Sequence, residues 1–124
     1  MDKESFERLV ARAVDDLPEE FLLRLENIDI VVEEYPTPNQ LLKLGLEQGE
    51  TLLGLYEGVP RTERGSHYGL VPPDKITIFQ RSIEAKCRYG GNIGTEIQRV
   101  VKHEIAHHFG ISDARLHQLE KEEG

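Results

Sequence analysis

The sequence lacks the features that mark several protein classes. It has one cysteine, Cys87, so no intramolecular disulfide can form and nothing requires an oxidising compartment. No stretch approaches 18 consecutive apolar residues, so we expect no membrane-spanning segment. Acidic residues interrupt the N-terminal region, which therefore lacks the apolar core of a signal peptide. The expected location is the cytoplasm.

Basic charge is also scarce. The 15 lysines and arginines are scattered among 23 acidic residues, and the formal net charge is −8. A chain with this balance repels phosphate backbones unless a local basic patch forms, and the sequence contains no such patch. We therefore expect no nucleic-acid partner. Nothing in the sequence indicates the oligomeric state.

Hydrophobic periodicity predicts one α+β domain over residues 1–124, with a small mixed sheet. In the predicted strand Lys75–Gln80, Ile76 and Ile78 alternate with Thr77 and Phe79, as expected of a half-buried strand. In chain order, the predicted elements are helices at Phe6–Leu17 and Glu19–Leu25, a strand at Ile28–Glu33, a helical turn at Gln40–Leu46, strands at Thr51–Glu57, His67–Val71 and Lys75–Gln80, and helices at Ser82–Arg88, Thr95–Phe109 and Ala114–Glu122.

The residues His103 to His107 form an HExxH motif inside the longest predicted helix. Positions four apart lie about 40° apart around a helix, so His103 and His107 project from one face and can share a metal ion. Glu104 points away from that pair. A carboxylate there can take a proton from water that the metal makes acidic, without being a metal ligand itself.

The motif continues through Gly110 and Asp113 as HExxHxxGxxD. In sequences of this composition, chance gives HExxH in roughly 3% of cases and the extended pattern in roughly one case in ten thousand. Gly110 can adopt the left-handed conformation that ends a helix, and the turn can bring Asp113 back beside the imidazoles. Three protein ligands would leave a fourth position open for water, as in catalytic zinc sites.

Three segments carry a resemblance to a known family. HEIAHHFGISD resembles the extended zinc motif of metzincin-like peptidases, with Asp in place of the usual third His. LLGLYEGVPRTERG and PDKITIFQRSIEAKC resemble the minimal zincin-like metallopeptidases, which are small bacterial proteins. The resemblance implies a twisted sheet packed with an active-site helix and short supporting helices. It also implies Zn²⁺ held by His103, His107 and Asp113, with Glu104 as the catalytic base.

Some residues have other interpretations. Asp113 lies where the last predicted helix begins, so it could serve only as its N-cap. Glu120 is a rival third ligand, as in zincins that use a Glu from a later helix. His108 falls on the apolar side of the helical wheel, about 100° from His107, and is expected to pack or to support the site rather than to bind metal.

The leading functional hypothesis is a zinc-dependent peptidase that acts on peptides or unfolded protein segments. The alternative is a zinc-binding module with little or no catalysis that acts in partner binding, although such a site would have no need of Glu104. A metal-dependent RNA endonuclease is less favoured. A family of such enzymes has a motif of similar spacing, HxxxHxxGxxH, but that motif lacks the Glu after the first His. RNA binding would also require a basic surface.

Zincins usually bind substrate as an extended chain beside an edge strand. The predicted strand His67–Val71 is short, flanked by glycine and ended by Pro72, as expected of an edge strand. We therefore expect residues Ser66 to Leu70 to form the rim of the substrate cleft near Glu104, with His67, Tyr68 and Gly69 at its centre.

Overall fold

The computed structural model describes residues 1–45, 52–58 and 73–109. In chain order, the elements in these ranges are α1 (Lys3–Asp15), α2 (Glu19–Arg24), β1 (Ile28–Glu33), α3 (Pro38–Lys43), β2 (Gly54–Glu57), β3 (Asp74–Phe79), α4 (Gln80–Lys86) and α5 (Ile93–Phe109). This mixture of helices and a small sheet confirms the predicted α+β class. The predicted strand His67–Val71 and helix Ala114–Glu122 lie outside the described residues.

Local hydrogen bonds explain where two of the helices begin. The Asp2 carboxylate accepts a hydrogen bond from the backbone N–H of Ser5, at 2.8 Å, and so caps α1. Thr37 and Gln40 form a reciprocal capping box at the start of α3, with bonds of 2.8 and 3.1 Å.

The three described strands form a mixed sheet in the order β1-β3-β2. Strand β3 pairs with β1 in parallel and with β2 in an antiparallel direction. The prediction of a half-buried β3 was wrong: Ile76 and Ile78 are fully buried on one face, and Thr77 and Phe79 are fully buried on the other. Burial of a strand's faces depends on what packs above and below the sheet, so a two-residue alternation in the sequence could not reveal it.

Helix α5 divides the fold between a core face and a site face. Ile97, Val101 and Ile105 recur every four residues and are fully buried in the hydrophobic core. The core also contains Phe6 and Phe21 from the first two helices. In the described ranges, no helix is both long and apolar enough to cross a membrane.

A glycine lets β2 approach α5 closely. A side-chain carbon at Gly54 would clash with Val100 Cγ1 on α5 and would lie 3.3 Å from the Thr77 carbonyl oxygen. The backbone of β2 therefore lies directly against the helix at Val100. Tyr56 lies two residues beyond Gly54, about 6.6 Å along the strand, and Glu104 lies four residues beyond Val100, about 6 Å along the helix. Tyr56 is therefore level with Glu104.

Candidate metal centre

Two imidazoles lie side by side on the exposed face of α5. The ring centroids of His103 and His107 are 4.3 Å apart, with an angle of 47° between the ring planes. Both side chains are exposed, whereas Ile105 and Ala106 between them face the core. One helical turn separates the two histidines, as the motif spacing predicts. The pair is therefore open to solvent and to a metal ion.

Glu104 is half-buried beside this pair. Burial raises the pKa of its carboxyl group above the ordinary value, while the charge of His107 and a backbone hydrogen bond from Tyr56 act in the opposite direction. The structure thus gives the HExxH carboxylate a different environment from that of the two histidines. It is partly desolvated, and it accepts a hydrogen bond from strand β2.

The hydrogen bond to Glu104 follows from the register of β2. The backbone N–H of Phe79 donates to the Leu53 carbonyl oxygen at 3.0 Å, which makes Leu53 and Phe79 a hydrogen-bonded pair. Such pairs alternate along antiparallel strands, so the N–H of Tyr56 points away from β3. In that direction it meets the Glu104 carboxylate.

His108 occupies a different side of α5 from the histidine pair. Its ring is stacked on the ring of Tyr56, with centroids 3.9 Å apart and an angle of 13° between the planes. It also meets the ring of Phe109 edge-on, at 5.0 Å. Although His108 is exposed overall, these contacts direct its ring towards β2 rather than towards His103 and His107.

A groove of about 360 Å³ opens beside the first histidine. One side of the groove is formed by the first residue of β2 and the two leucines before it, and the other side by α5: the residues are Leu52, Leu53, Gly54, Arg99, Val100, His103 and Glu104. Arg99 forms an ion pair with Glu96, which also binds Lys86 at 2.8 Å. The groove can therefore hold an apolar side chain, with the candidate chemical groups at one end.

The structure brings together three of the predicted site residues, His103, Glu104 and His107. Asp113 and Glu120, the two candidates for a third metal ligand, lie outside the described residues. Within the described ranges, no group of three His, Cys, Asp or Glu side chains could hold a metal ion. The predicted cleft rim, Ser66–Leu70 with His67, Tyr68 and Gly69, also lies outside them.

The sequence analysis did not identify Tyr56 as part of this site. Tyr56 contacts both Glu104 and His108, yet nothing in its spacing relates it to the HExxH motif. The only signal in the sequence was its position in the segment LLGLYEGVPRTERG, which carries part of the family resemblance. That signal marks the whole segment and does not single out one residue.

Comparisons with known proteins identify a matching family model and a solved structure with a similar fold. A family model described as "Zincin-like metallopeptidase" matches residues 25–123. A solved structure of a conserved hypothetical protein from Thermo thermophilus superimposes with a TM-score of 0.60 and 24% sequence identity, covering 88% of this chain and 94% of that one. At that identity the likeness concerns the fold alone. No curated protein sequence matches the chain significantly.

Proposed function

Because the chain belongs to the zincin-like metallopeptidase family, we propose that it is a zinc-dependent peptidase with Glu104 as its general base. The observation that carries this proposal is the arrangement on α5. Two exposed imidazoles, His103 and His107, lie beside a half-buried carboxylate and next to a groove that strand β2 lines. This arrangement combines metal ligands, a base and room for a substrate.

The residues that would hold zinc are His103, His107 and Asp113. Zinc–nitrogen distances are about 2.0–2.1 Å, so two nitrogens on one ion lie within about 4.2 Å of each other. Ring centroids 4.3 Å apart allow two nitrogens to meet that requirement. Asp113 is the third ligand that the family resemblance implies. Neutral imidazoles with one carboxylate form a donor set that suits zinc and leaves a position open.

When bound, the ion would supply Lewis acidity, which makes water a stronger acid and polarises a peptide carbonyl. Glu104 then has the task of moving a proton. Its partly desolvated carboxylate binds a proton more tightly than one in water, as its raised pKa indicates. In the proposed reaction this carboxylate takes a proton from the attacking water and gives it to the nitrogen of the departing amine.

We place the substrate along β2, in the groove beside His103. Gly54 and Tyr56 both direct their backbone N–H and C=O groups away from β3. An extended peptide could therefore form hydrogen bonds with those of Gly54. A substrate side chain would enter the space between Leu53 and Val100, which favours an apolar residue next to the cleaved bond. The polypeptide substrates are thus peptides or unfolded segments.

Proteolysis of a random peptide library tests the proposal directly. The full chain would be stripped with a chelator, divided, and assayed by mass spectrometry with and without one equivalent of zinc. We expect cleavage only in the zinc-loaded sample, with apolar residues enriched beside the cleaved bond. A protein that binds one zinc per chain and cleaves no peptide would contradict the peptidase proposal and favour the non-catalytic binding module.

A further inference from the structure

Tyr56 contacts Asp74, His108 and Glu104 from its place in β2. Its hydroxyl donates a hydrogen bond to the Asp74 carboxylate at 2.7 Å. Its ring stacks on the ring of His108, with centroids 3.9 Å apart. Its backbone N–H points away from β3, on the side of the Glu104 carboxylate. One residue thus links the central strand of the sheet to the helical turn that carries the HExxH motif.

The anchor at Asp74 lies at the start of the central strand. Tyr56 is opposite Ile76 in the antiparallel register, and Asp74 lies two residues away on the same face, so the two side chains are diagonal neighbours. Asp74 is largely buried, with 9% exposure. A hydroxyl that donates to a carboxylate forms a stronger bond than one between neutral groups, so this contact holds the tyrosine ring in one orientation.

The second contact fixes the ring against α5. The planes of Tyr56 and His108 are within 13° of parallel, so the two rings cover each other face to face. His108 follows His107 directly and lies one turn beyond Glu104. The ring and the backbone of Tyr56 therefore contact the same turn of α5. The ring packs on His108, and the backbone N–H meets Glu104, so the two contacts reinforce each other.

We propose that Tyr56 is a positioning residue for the candidate site: its ring, held between Asp74 and His108, fixes the strand amide that orients the Glu104 carboxylate. The effect on turnover depends on the peptidase function proposed above, whereas the effect on the amide does not. A base must lie within hydrogen-bond reach of the proton that it takes, and a displacement of about 1 Å can cost on the order of 100-fold in rate.

The first measurement needs no enzymatic activity. Hydrogen exchange of the Tyr56 backbone amide would be followed by NMR in the zinc-loaded full chain. Tyr56→Leu removes both ring contacts, so we expect exchange at that amide at least about tenfold faster than in the wild type. Tyr89→Leu is the matched control, because Tyr89 is 93% exposed, and it should leave the exchange rate unchanged. Unchanged exchange in Tyr56→Leu would overturn the proposal.

The second measurement separates positioning from folding and from metal binding. We expect Tyr56→Leu to lower kcat about 10- to 100-fold, with KM changed less than about threefold and one zinc still bound. Tyr56→Phe keeps the ring that stacks on His108 and loses the bond to Asp74, so its kcat should fall less. Asp74→Asn keeps an acceptor for the tyrosine hydroxyl, so its turnover should stay close to that of the wild type. Asp74→Ala removes the acceptor and should resemble Tyr56→Phe.

The outcomes distinguish the two proposals. A normal kcat in Tyr56→Leu, a change in KM alone, or a loss of activity that follows a loss of zinc would each overturn the role of Tyr56. If the wild type cleaves no peptide, the peptidase proposal fails. The exchange rate of the Tyr56 amide then decides by itself whether the ring holds the strand against Glu104.

Discussion

Glu104 differs from its two histidine neighbours in how much of it meets water. The imidazoles of His103 and His107 are exposed, so a metal ion and a substrate can reach them. The Glu104 carboxylate is half-buried, and burial raises its pKa. Exposed ligands and a partly desolvated base are what the proposed chemistry requires, since the ligands must bind an ion and the base must hold a proton.

Glu104→Gln should keep the metal and abolish hydrolysis. Glutamine has nearly the same size and can still accept the hydrogen bond from Tyr56, but it cannot take a proton from water. We expect kcat to fall by about 10²- to 10⁴-fold, with one zinc still bound per chain. Glu26→Gln, at an exposed position before β1, serves as the control. Equal turnover in the Glu104 variant and the wild type would refute its role as the base.

The third ligand can be identified by comparing two substitutions. Asp113→Ala should weaken zinc binding by at least about tenfold, whereas Glu120→Ala should leave it unchanged. A lost helix cap alone would cost about 1 kcal/mol of stability and would leave the metal bound. Titration with zinc and a melting temperature for each variant separate the two roles. Normal zinc affinity in Asp113→Ala would reduce that residue to a cap.

At the scale of single residues, the sequence predicts what lies close along the chain. The spacing of His103, Glu104 and His107 on one helix follows from the helical period, and the structure has that helix. The contacts of Tyr56 could not be predicted in this way. About fifty residues separate Tyr56 from Glu104, and their approach depends on the strand register and on the close packing of β2 against α5.

Among the elements, β2 and α5 together build the candidate site. The helix supplies the HExxH side chains, and the strand supplies the amide that meets Glu104 and one wall of the groove. Their close approach depends on Gly54, which has no side chain to hold the two backbones apart. The groove lies beside this contact, and Gly54 and Val100 both line it.

Gly54→Ala should separate β2 from α5. The added carbon would clash with Val100 Cγ1, so the strand or the helix must shift. We expect a loss of about 1–3 kcal/mol of stability, together with reduced activity. Gly58→Ala is the matched control, because the nearest atoms to a carbon there belong to the Asp74 carboxylate and lie at ordinary contact distances of 3.6 Å or more. Thermal melts of both variants measure the difference, and equal melting temperatures would contradict the close approach.

The elements themselves were largely predictable from local patterns. Strand β1 has the predicted limits, and α5 begins two residues earlier than predicted and ends at the same residue. The predicted strand Thr51–Glu57 is shorter in the described range, because the ladder with β3 begins at Gly54. The burial of β3 on both faces was not predictable, since it depends on what packs against the two faces of the sheet rather than on the sequence of the strand itself.

In the molecule as a whole, the core and the candidate site lie on different sides of one helix. The buried face of α5 packs against α1 and the sheet, whereas His103 and His107 face outward. Substitution of either histidine should therefore remove the metal site without opening a cavity in the core. The net charge of −8 also favours cations over polyanions, which agrees with a metal-dependent peptidase better than with a nuclease.

Zinc content measured by native mass spectrometry tests the central proposal most directly. Chelator-treated full chain should take up one zinc ion per chain at micromolar zinc, and at 100 times the dissociation constant the ion should add about 2.7 kcal/mol of stability. His103→Ala and His107→Ala should each lose the ion. His108→Ala should keep it, because that ring faces Tyr56. No zinc uptake, or uptake that survives the loss of both His103 and His107, would contradict the assignment of this site.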